Sequence, residues 1–209
     1  LVRPTPFKHV GVFPEQASNW ALLESLRAAL EVSEPRCLNL FAYTGVTSVF
    51  AAQAGFRVTH VDASKVSIEW ALENVLASGL RRDALRLVLD DALAFVRREA
   101  RRGACYEVVF LDPPHYGRGP RGEKWQLETS LPLMIEALEG LLEPRALVVL
   151  STYAVGLSSL SIANLLSELG PGIVEYGELV LGESGAGARL LPAGFCARLW
   201  RGLQAPIPG

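Results

Sequence analysis

The segment Val-Val-Phe-Leu-Asp-Pro-Pro-His-Tyr runs from Val108 to Tyr116, and the rest of the chain can be interpreted around it. Its first four residues are apolar and predict a buried strand. The strand has to stop at Asp112, because the prolines that follow cannot donate a backbone hydrogen bond to a neighbouring strand. A buried strand that ends in an acid is typical of the edge of an α/β sheet where ligands bind. Taken alone, the pattern also fits a purely structural Pro-Pro turn, so the rest of the chain has to decide.

The composition predicts one domain with a buried core. The 209 residues are 50% hydrophobic and 20% charged. No apolar run approaches the roughly 18 residues that span a membrane, and the start at residues 1–4 does not resemble a signal peptide, so we expect a cytoplasmic protein without a membrane partner. The formal net charge of −2 argues against strong non-specific binding of nucleic acid but permits a local basic face.

The three cysteines predict neither a metal site nor a redox motif. Cys37, Cys105 and Cys196 lie far apart in the sequence and beside apolar segments. Metal and redox motifs place cysteines in pairs with short spacing, which this chain lacks. We therefore expect three buried thiols and no bound metal.

Strand-like and helix-like patterns alternate along the chain. The predicted strands are 36–41, 56–61, 85–89, 106–111, 146–150, 173–181 and 190–200. Helices are predicted before the first strand and between each of the first six, whereas the last two strands are separated only by a Gly-rich segment that favours a hairpin. The expected fold is α/β, with a doubly wound, mostly parallel seven-stranded sheet that ends in a C-terminal antiparallel hairpin.

Acidic residues follow three of the predicted strands, where such a sheet binds its ligands. They are Asp62, the pair Asp90-Asp91, and Asp112. The loop after the first strand lacks both the Gly-x-Gly-x-x-Gly pattern and a Walker lysine, so a cofactor held by its pyrophosphate is a poor fit. Asp62 is well placed to accept from the hydroxyls of a ribose, and Asp91 from an adenine amine. Capping of a helix explains Asp90 or Asp91 equally well.

Four segments in this order resemble the class I S-adenosylmethionine-dependent methyltransferases, over about residues 11–200. They are Asn39–Gly45, His60–Ala63, Asp91-Ala92 and Asp112–Tyr116. Within the class, the chain is similar to bacterial rRNA methyltransferases related to the large-subunit cytosine C5 enzymes. The resemblance implies a Rossmann-like fold, with an extended N-terminal segment at 1–15 packed over the cofactor site and the class I methyltransferase domain at 16–209.

The resemblance also implies S-adenosylmethionine as the cofactor and assigns its binding residues. They are Phe13, Gln16, Asn39, Phe41, Tyr43, Gly45, Asp62, Ala63, Asp91, Ala92 and Asp112. Phe13 and Gln16 would fold over the cofactor, with Gln16 near its amino-acid end. The chain departs from the family at Asn39, where an acid is usual, and at Ser151-Thr152-Tyr153, where the C5 enzymes carry their nucleophilic cysteine. Cysteine-dependent C5 chemistry is therefore not expected.

The expected reaction is an in-line methyl transfer at the Asp112-Pro113-Pro114 turn, with Asp112, Pro113 and Tyr116 as catalytic residues. Asp112 would accept a proton or a hydrogen bond, the Pro113 carbonyl a second, and Tyr116 would pack on the acceptor. His115 is either a base or a solvated side chain.

The expected partner is RNA, ribosomal RNA in particular. A base flipped out of the RNA would stack on Tyr116 or Trp125. Arg118, Arg121 and Lys124 would contact phosphates from a mobile loop, unless that loop is only a solvated surface. Two alternatives remain open: a methyltransferase of a small molecule or protein, and a non-catalytic module that binds the cofactor. The sequence determines neither the methylated atom nor the oligomeric state.

Overall fold

A computed structural model describes residues 1–4, 10–154, 156–185 and 189–205. Seven of the strands in these residues form one large sheet, and two form a short ribbon. In chain order, the strands are β1 Arg36–Leu40, β2 Arg57–Asp62, β3 Leu85–Leu89, β4 Tyr106–Leu111, β5 Tyr116–Arg118, β6 Lys124–Gln126, β7 Leu142–Thr152, β8 Ile173–Gly182 and β9 Leu190–Arg201. The order across the large sheet is β3-β2-β1-β4-β7-β9-β8.

The centre of the sheet is parallel. Strand β1 pairs with both β2 and β4, so that Leu38 lies opposite Thr59 on one side and Val109 on the other. All residues of β4 are buried, which agrees with a parallel strand that is covered by helices on both faces. The chain order reverses between β1 and β4, and in doubly wound sheets this is where a crevice opens beyond the carboxyl ends of the strands.

Helices cover both faces of this sheet, as predicted. They are α1 Ala17–Trp20, α2 Leu22–Ala29, α3 Val46–Gln53, α4 Lys65–Ala77, α5 Ala92–Arg101, α6 Leu127–Glu139 and α7 Ser159–Ser167. One core cluster joins the sheet to α5, α6 and α7 through residues such as Phe95 and Met134. The other cluster includes Leu23 of α2 and Val75 of α4. None of the helices in the described part of the chain is both long and apolar enough to span a membrane.

The C-terminal hairpin is also confirmed. Strand β9 lies between β7 and β8 and is antiparallel to both. Its pairing with β7 places Cys196 directly opposite Ser151. Strand β7 begins earlier than predicted, at Leu142, which pairs with Tyr106 across an irregularity in the register. The turn residues 186–188 lie outside the described part of the chain.

The N-terminal segment lies against the loop after β1 and against α4. The carbonyl of Gly11 accepts from Thr44 Oγ1 at 2.6 Å. Gly11 has a φ of +95°, and a Cβ at this position would collide with the ring of Trp70, so only glycine fits. Residues 1–4 and 10–13 of the expected extended segment have neither helix nor strand, and residues 5–9 lie outside the described chain. A short 3₁₀ turn at Pro14–Gln16 then leads into α1.

The ribbon differs from the sequence-based prediction. The sequence favours a mobile, glycine-rich loop after the Pro-Pro turn, but β5 pairs antiparallel with β6, with Gly117 opposite Trp125. Each strand has only three residues, and the connection contains Pro120 and Gly122. Strands this short give no clear alternation of apolar and polar residues, which is why the pattern does not indicate them.

Candidate active site

A cavity of about 610 Å³ opens at the carboxyl ends of β1, β2, β3 and β4. Its volume is within the usual range for pockets that bind a small molecule or cofactor. Residues from widely separated parts of the chain form its wall. Those predicted from the sequence are Phe13, Phe41, Tyr43, Asp62, Ala63, Asp91, Ala92, Asp112 and Pro113.

The loop after β1 enters the cavity in a strained conformation. Phe41 and Tyr43 have φ angles of 55° and 47°, a left-handed region that is costly for residues with bulky side chains. Gly45 follows with a φ of 78° as the N-cap of α3, and a Cβ there would be 3.0 Å from Ala71. Gly45, a predicted cofactor-binding residue, does not line the cavity. Its lack of a side chain lets the loop pack closely on α4. Strain of this kind is frequent at ligand sites.

Asp62 ends β2, and backbone donors fix its carboxylate. Oδ2 accepts from the backbone N–H of Tyr43 at 2.8 Å, and Oδ1 accepts from that of Ser64 at 2.8 Å. Burial raises the pKa of Asp62, whereas hydrogen bonds from Ser64, Tyr43, Ala63 and the Ser67 side chain oppose this rise. The carboxylate is thus held in one orientation on the cavity wall, where a polyhydroxyl ligand would meet an acceptor that is already in place.

The two acids that follow β3 have different surroundings. Asp91 lines the cavity, and its Oδ1 also caps α5 by accepting from the backbone N–H of Ala94 at 2.8 Å. Asp90 is buried and forms ion pairs with Arg98 at 2.5 Å and Arg121 at 3.0 Å. Asp91 therefore both caps α5, as one interpretation of the sequence predicts, and lines the cavity. Asp90 instead forms buried ion pairs.

Asp112 follows β4 and lies on the cavity wall, where it interacts with Ser151 and Glu15. Its Oδ1 accepts from the hydroxyl of Ser151 at 3.0 Å. Burial raises the pKa of Asp112 to about 7; the Ser151 hydrogen bond opposes this rise, and the negative charge of Glu15 adds to it. A carboxyl with a pKa near neutral pH is able to take up and release a proton during catalysis.

Glu15 and Tyr153 also line the cavity, although the sequence does not predict them as site residues. Glu15 lies in the 3₁₀ turn and is 9% exposed. Burial raises the pKa of Tyr153, and its hydroxyl interacts with Asp112, Gln16 and Glu15. The ring of Phe13 stacks obliquely between those of Tyr43 and Tyr153, with centroid distances of 5.9 Å and 5.7 Å. Phe13 thereby closes one side of the cavity.

Gln16 and Asn39 line a smaller cavity of about 50 Å³ that shares Phe13 and Asp112 with the large one. The amide nitrogen of Gln16 donates to Ser151 and Tyr153, and its oxygen accepts from Asn19. Both ends of the Gln16 amide are therefore bonded to protein groups. This places Gln16 beside the predicted cofactor site as a buried support for other side chains.

A buried polar chain continues behind Asn39. The Asn39 amide donates to Ser48 Oγ at 2.9 Å, and that oxygen is 3.0 Å from Nδ1 of His60. Burial lowers the pKa of His60 to about 4, so the ring is neutral at physiological pH. Nε2 of His60 is buried and has no hydrogen-bond partner among the described residues. These hydrogen bonds orient the Asn39 side chain. Ser48 and His60 line neither of the two cavities.

The structure corrects three expectations for the segment after the Pro-Pro turn. Tyr116 is exposed, lies with its ring 4.2 Å from that of His115, and does not line the cavity. Trp125 is buried in the cavity wall, packs on Phe41 with centroids 4.6 Å apart and donates to the carbonyl of Pro114 at 2.7 Å, so it can meet an RNA base only inside the cavity. These positions follow from the pairing of β5 with β6, which turns alternate side chains to opposite faces.

The third correction concerns Arg121, which does not extend freely into solvent. Its guanidinium forms ion pairs with Glu123 at 2.9 Å and with Asp90 at 3.0 Å. Arg118 and Lys124 remain exposed and lie opposite each other on the ribbon. His115, expected to be either a base or a solvated side chain, lies at the surface with Nε2 2.5 Å from Oε1 of Glu128.

No cysteine reaches the cavity among the residues that the structure describes. Cys37 and Cys196 are buried as expected, but Cys105 is partly exposed because it lies in the connection just before β4. Cys196 is near Asp112, yet burial raises the pKa of its thiol, which keeps the sulfur protonated and poorly nucleophilic. The site therefore lacks a reactive thiol within the described residues.

The charges on the cavity wall are mainly negative. The acids there are Glu15, Asp62, Asp91 and Asp112, and the basic residue there is Arg118. Acids grouped around an enclosed cavity attract a cation and repel an anion. These acceptors suit a ligand with hydroxyl and amine donors and a positive charge, as a sulfonium cofactor with an adenosyl group has.

The strand order and the acids at neighbouring strand ends define a Rossmann-like domain of the class I methyltransferase type. The chain belongs to the family described as "Conserved hypothetical protein 95", which matches residues 17–165. The crystal structure of the SAM-dependent methyltransferase from Agrobacterium tumefaciens is 42% identical and superposes with a TM-score of 0.90, covering 96% of this chain and 66% of that one.

Two further comparisons extend this result. The ribosomal RNA large subunit methyltransferase K/L of Pseudomonas paraeruginosa is 38% identical over 124 residues, which are 59% of this chain and 16% of that protein. This chain therefore spans only a small part of the curated relatives that it matches. A methyltransferase structure complexed with SAH is 22% identical with a TM-score of 0.70, covers 91% of this chain and 51% of that one, and supports the fold alone.

Proposed function

We propose that this domain is an S-adenosylmethionine-dependent methyltransferase that transfers a methyl group to ribosomal RNA at the Asp112 end of the cavity. The observation that carries the proposal is one negatively charged cavity of about 610 Å³ at the carboxyl ends of four parallel strands. The similarity to the Agrobacterium methyltransferase supports the cofactor, and the similarity to the ribosomal RNA methyltransferase supports the acceptor. Such an acceptor implies action in the cytoplasm.

In this proposal, the cofactor lies across the ends of β1, β2 and β3. Asp62 accepts from the ribose hydroxyls, and Asp91 accepts from the adenine amine. Ala63 and Ala92 leave room for the flat base, and the rings of Phe41 and Tyr43 bound the cavity near the sugar and the methionine chain. Asn39, which lines the smaller cavity with Gln16, and Glu15, which lines the large one, are the acceptors for the methionine ammonium.

The chemical step is an in-line displacement. A lone pair of the acceptor attacks the methyl carbon, the carbon–sulfur bond breaks, and its electrons return to sulfur to give a neutral thioether. Asp112 then takes a proton from the methylated acceptor if that atom carried one, which its pKa of about 7 allows at neutral pH. Pro113 stiffens the turn on which Asp112 lies, so that the acceptor can be held about 3 to 3.5 Å from the methyl group.

The ribbon supplies the RNA-facing part of the proposal. Arg118 and Lys124 are exposed opposite each other and provide two cations for phosphates at the edge of the cavity. Tyr116 is 64% exposed beside them and can stack on an unpaired base outside the cavity, which replaces its predicted catalytic role. Arg121 is left out of this surface because Asp90 and Glu123 already bind it.

The test is transfer of tritiated methyl groups from S-adenosylmethionine into separated RNA, protein and small-molecule fractions of a cell extract. The proposal predicts label in ribosomal RNA and at least a roughly 100-fold lower rate with Asp112→Asn, because the proton acceptor is lost while the shape is retained. Label in protein or in small molecules would disprove the RNA acceptor. Cofactor binding without transfer to any fraction would identify a non-catalytic module instead.

A further inference from the structure

We propose that Arg198 and Asn19, which lie outside the cavity, are positioning residues that fix the direction of the hydrogen bond to Asp112 through Gln16 and Ser151. The inference rests on the proposed function, in which Asp112 accepts a proton. It adds two residues, on β9 and α1, that touch neither the cofactor cavity nor the RNA-facing ribbon.

Four consecutive hydrogen bonds connect these residues. Arg198 Nε donates to Asn19 Oδ1 at 2.8 Å, and Asn19 Nδ2 donates to Gln16 Oε1 at 2.7 Å. Gln16 Nε2 then donates to Ser151 Oγ at 2.8 Å, and Ser151 Oγ donates to Asp112 Oδ1 at 3.0 Å. Asn19, Gln16 and Ser151 are all buried, so water does not compete for these bonds.

The arginine determines the direction of every bond that follows. A guanidinium has donors only, so the atom of Asn19 that faces Arg198 must be the amide oxygen. The amide nitrogen of Asn19 then faces Gln16, whose oxygen must accept, and the nitrogen of Gln16 must face Ser151. Ser151 Oγ accepts this hydrogen and directs its own single hydrogen to Asp112, since Asp112 Oδ1 is closer than the alternative acceptor, the carbonyl of Leu111, at 3.5 Å.

These hydrogen bonds have a branch that leads to a second hydroxyl. Gln16 Nε2 also donates to the hydroxyl oxygen of Tyr153 at 3.3 Å. Because that oxygen accepts from Gln16, the hydroxyl hydrogen of Tyr153 points away from Gln16, and the hydroxyl lies near the acids Asp112 and Glu15. One buried amide thus orients two hydroxyls beside the cavity.

The two carboxyl oxygens of Asp112 therefore have different roles. Oδ1 is held as an acceptor by Ser151, so the proton from the methyl acceptor goes to Oδ2. The titratable groups near Asp112 are Glu15 on the 3₁₀ turn, Tyr153 after β7 and Cys196 on β9. Ser151 is the donor that stabilises the ionised carboxyl among them, opposing burial and the charge of Glu15.

The test is a pH titration of the Asp112 carboxyl carbon by NMR in ligand-free protein with ¹³C-labelled aspartate, assigned by the loss of its signal in Asp112→Asn. Ser151→Ala is expected to raise the pKa of Asp112 by about one unit, since a hydrogen bond to a charged group is lost. Arg198→Met is expected to shift it in the same direction. Arg201→Met is the matched control, because this arginine of the same strand bonds the carbonyl of Leu169 instead.

A double-mutant cycle separates positioning from simple charge. If Arg198 acts through the chain, Arg198→Met shifts the pKa of Asp112 by less than half as much in the Ser151→Ala background as in the wild type. An equal shift in both backgrounds would mean that Arg198 acts by its charge alone and would overturn the inference. Asn19→Ala breaks the same chain without a change of charge and gives the second measurement if Arg198→Met does not fold, as judged by circular dichroism.

These titrations need neither cofactor nor RNA, so they are independent of the proposed function. Shifted titrations in a protein that methylates no RNA would leave the inference standing and disprove the acceptor. RNA methylation with unshifted titrations would leave the function standing and disprove the positioning role.

Discussion

At the residue scale, Asp112 shows the clearest conflict between stability and activity. Its carboxyl lies at the end of a fully buried strand and receives a hydrogen bond from Ser151, and no cation pairs with it in the described structure. Ionisation there is unfavourable because burial removes water from the charge. A group kept in such an environment is a frequent feature of catalytic sites, since it can exchange a proton near neutral pH.

The first prediction follows from this raised pKa. The folded chain holds a proton on Asp112 up to about pH 7, whereas the unfolded chain releases it near 3.8, so the stabilising contribution is complete below pH 4 and is lost as the pH rises to 7. Asp112→Asn should therefore increase the free energy of unfolding of the ligand-free protein by about 2–4 kcal/mol at pH 8, but have little effect near pH 4.

Urea denaturation at the two pH values measures this effect. Asp83→Asn is the control, because Asp83 is an exposed acid paired with Arg81 away from the cavity. An Asp112→Asn variant whose stability gain is the same at pH 4 and pH 8 would show that the carboxyl does not titrate in this range.

The sequence pattern alone identifies a site residue only when that residue directly follows a predicted strand. Asp62, Asp91 and Asp112 directly follow apolar runs, so the sequence alone predicts that they share one edge of the sheet. Glu15 and Tyr153 cannot be assigned in the same way, because their distance from Asp112 depends on how the N-terminal turn packs against the end of β7. The available signal for Glu15 is its position directly before Gln16, which the resemblance to the family assigns to the cofactor site.

At the element scale, the ribbon of β5 and β6 forms one wall of the cavity through Gly117, Arg118, Gly119 and Trp125. Two polar contacts help to hold it there: Trp125 donates to the carbonyl of Pro114, and Arg121 pairs with Asp90 at the end of β3. The second contact joins the ribbon to the side of the cavity where Asp91 lies. The ribbon is therefore positioned to cover a ligand at the Asp91 side of the cavity.

The second prediction concerns this ion pair. Arg121→Ala should weaken binding of S-adenosylhomocysteine by about 2–5-fold, mainly through faster dissociation, because an ion pair with one exposed partner stabilises the ribbon only modestly. The difference should shrink at high salt, which screens the pair. Stopped-flow dissociation measures it, with Arg81→Ala as control, since that arginine pairs with the exposed Asp83. Unchanged dissociation at low salt would show that the ribbon does not depend on Arg121.

The longer elements can be predicted from the sequence, and the ribbon cannot. The parallel strands read as continuous apolar runs because they are buried on both faces, and the long helices show apolar residues at three and four residue steps. The ribbon consists of two three-residue strands, and its stability comes from tertiary contacts of Trp125 and Arg121. Local pattern carries no information about such contacts, which is why the sequence does not show that Trp125 is buried in the cavity wall.

At the scale of the whole molecule, the charges are divided between an acidic cavity and a basic ribbon. The net charge of −2 gives no general attraction to RNA, so an RNA acceptor must be recognised locally. Arg118 and Lys124 are exposed at the edge of the cavity and can contact phosphates. Their position explains how an acidic chain could bind a polyanion next to a cationic cofactor.

The third prediction is the salt dependence of RNA binding. Replacing Arg118 and Lys124 together with glutamine should reduce the slope of log K against log salt by about 1.4 to 1.8, since each phosphate contact contributes roughly 0.7 to 0.9. Fluorescence anisotropy at several salt concentrations measures it. The matched control replaces Arg81 and Arg82, which directly precede β3 and therefore lie at the amino ends of the strands, away from the cavity. An unchanged slope would exclude the ribbon as the RNA contact.

Calorimetric titration with S-adenosylhomocysteine measures whether residues from Phe13 to Tyr153 form one site for S-adenosylmethionine. We predict binding to the wild-type protein and at least about a 100-fold loss of affinity in Asp62→Ala, because two hydrogen bonds from ribose to a carboxylate are removed. Asp83→Asn should bind like the wild type. No binding by the wild-type protein, or equal affinity in Asp62→Ala, would show that this cavity is not the cofactor site.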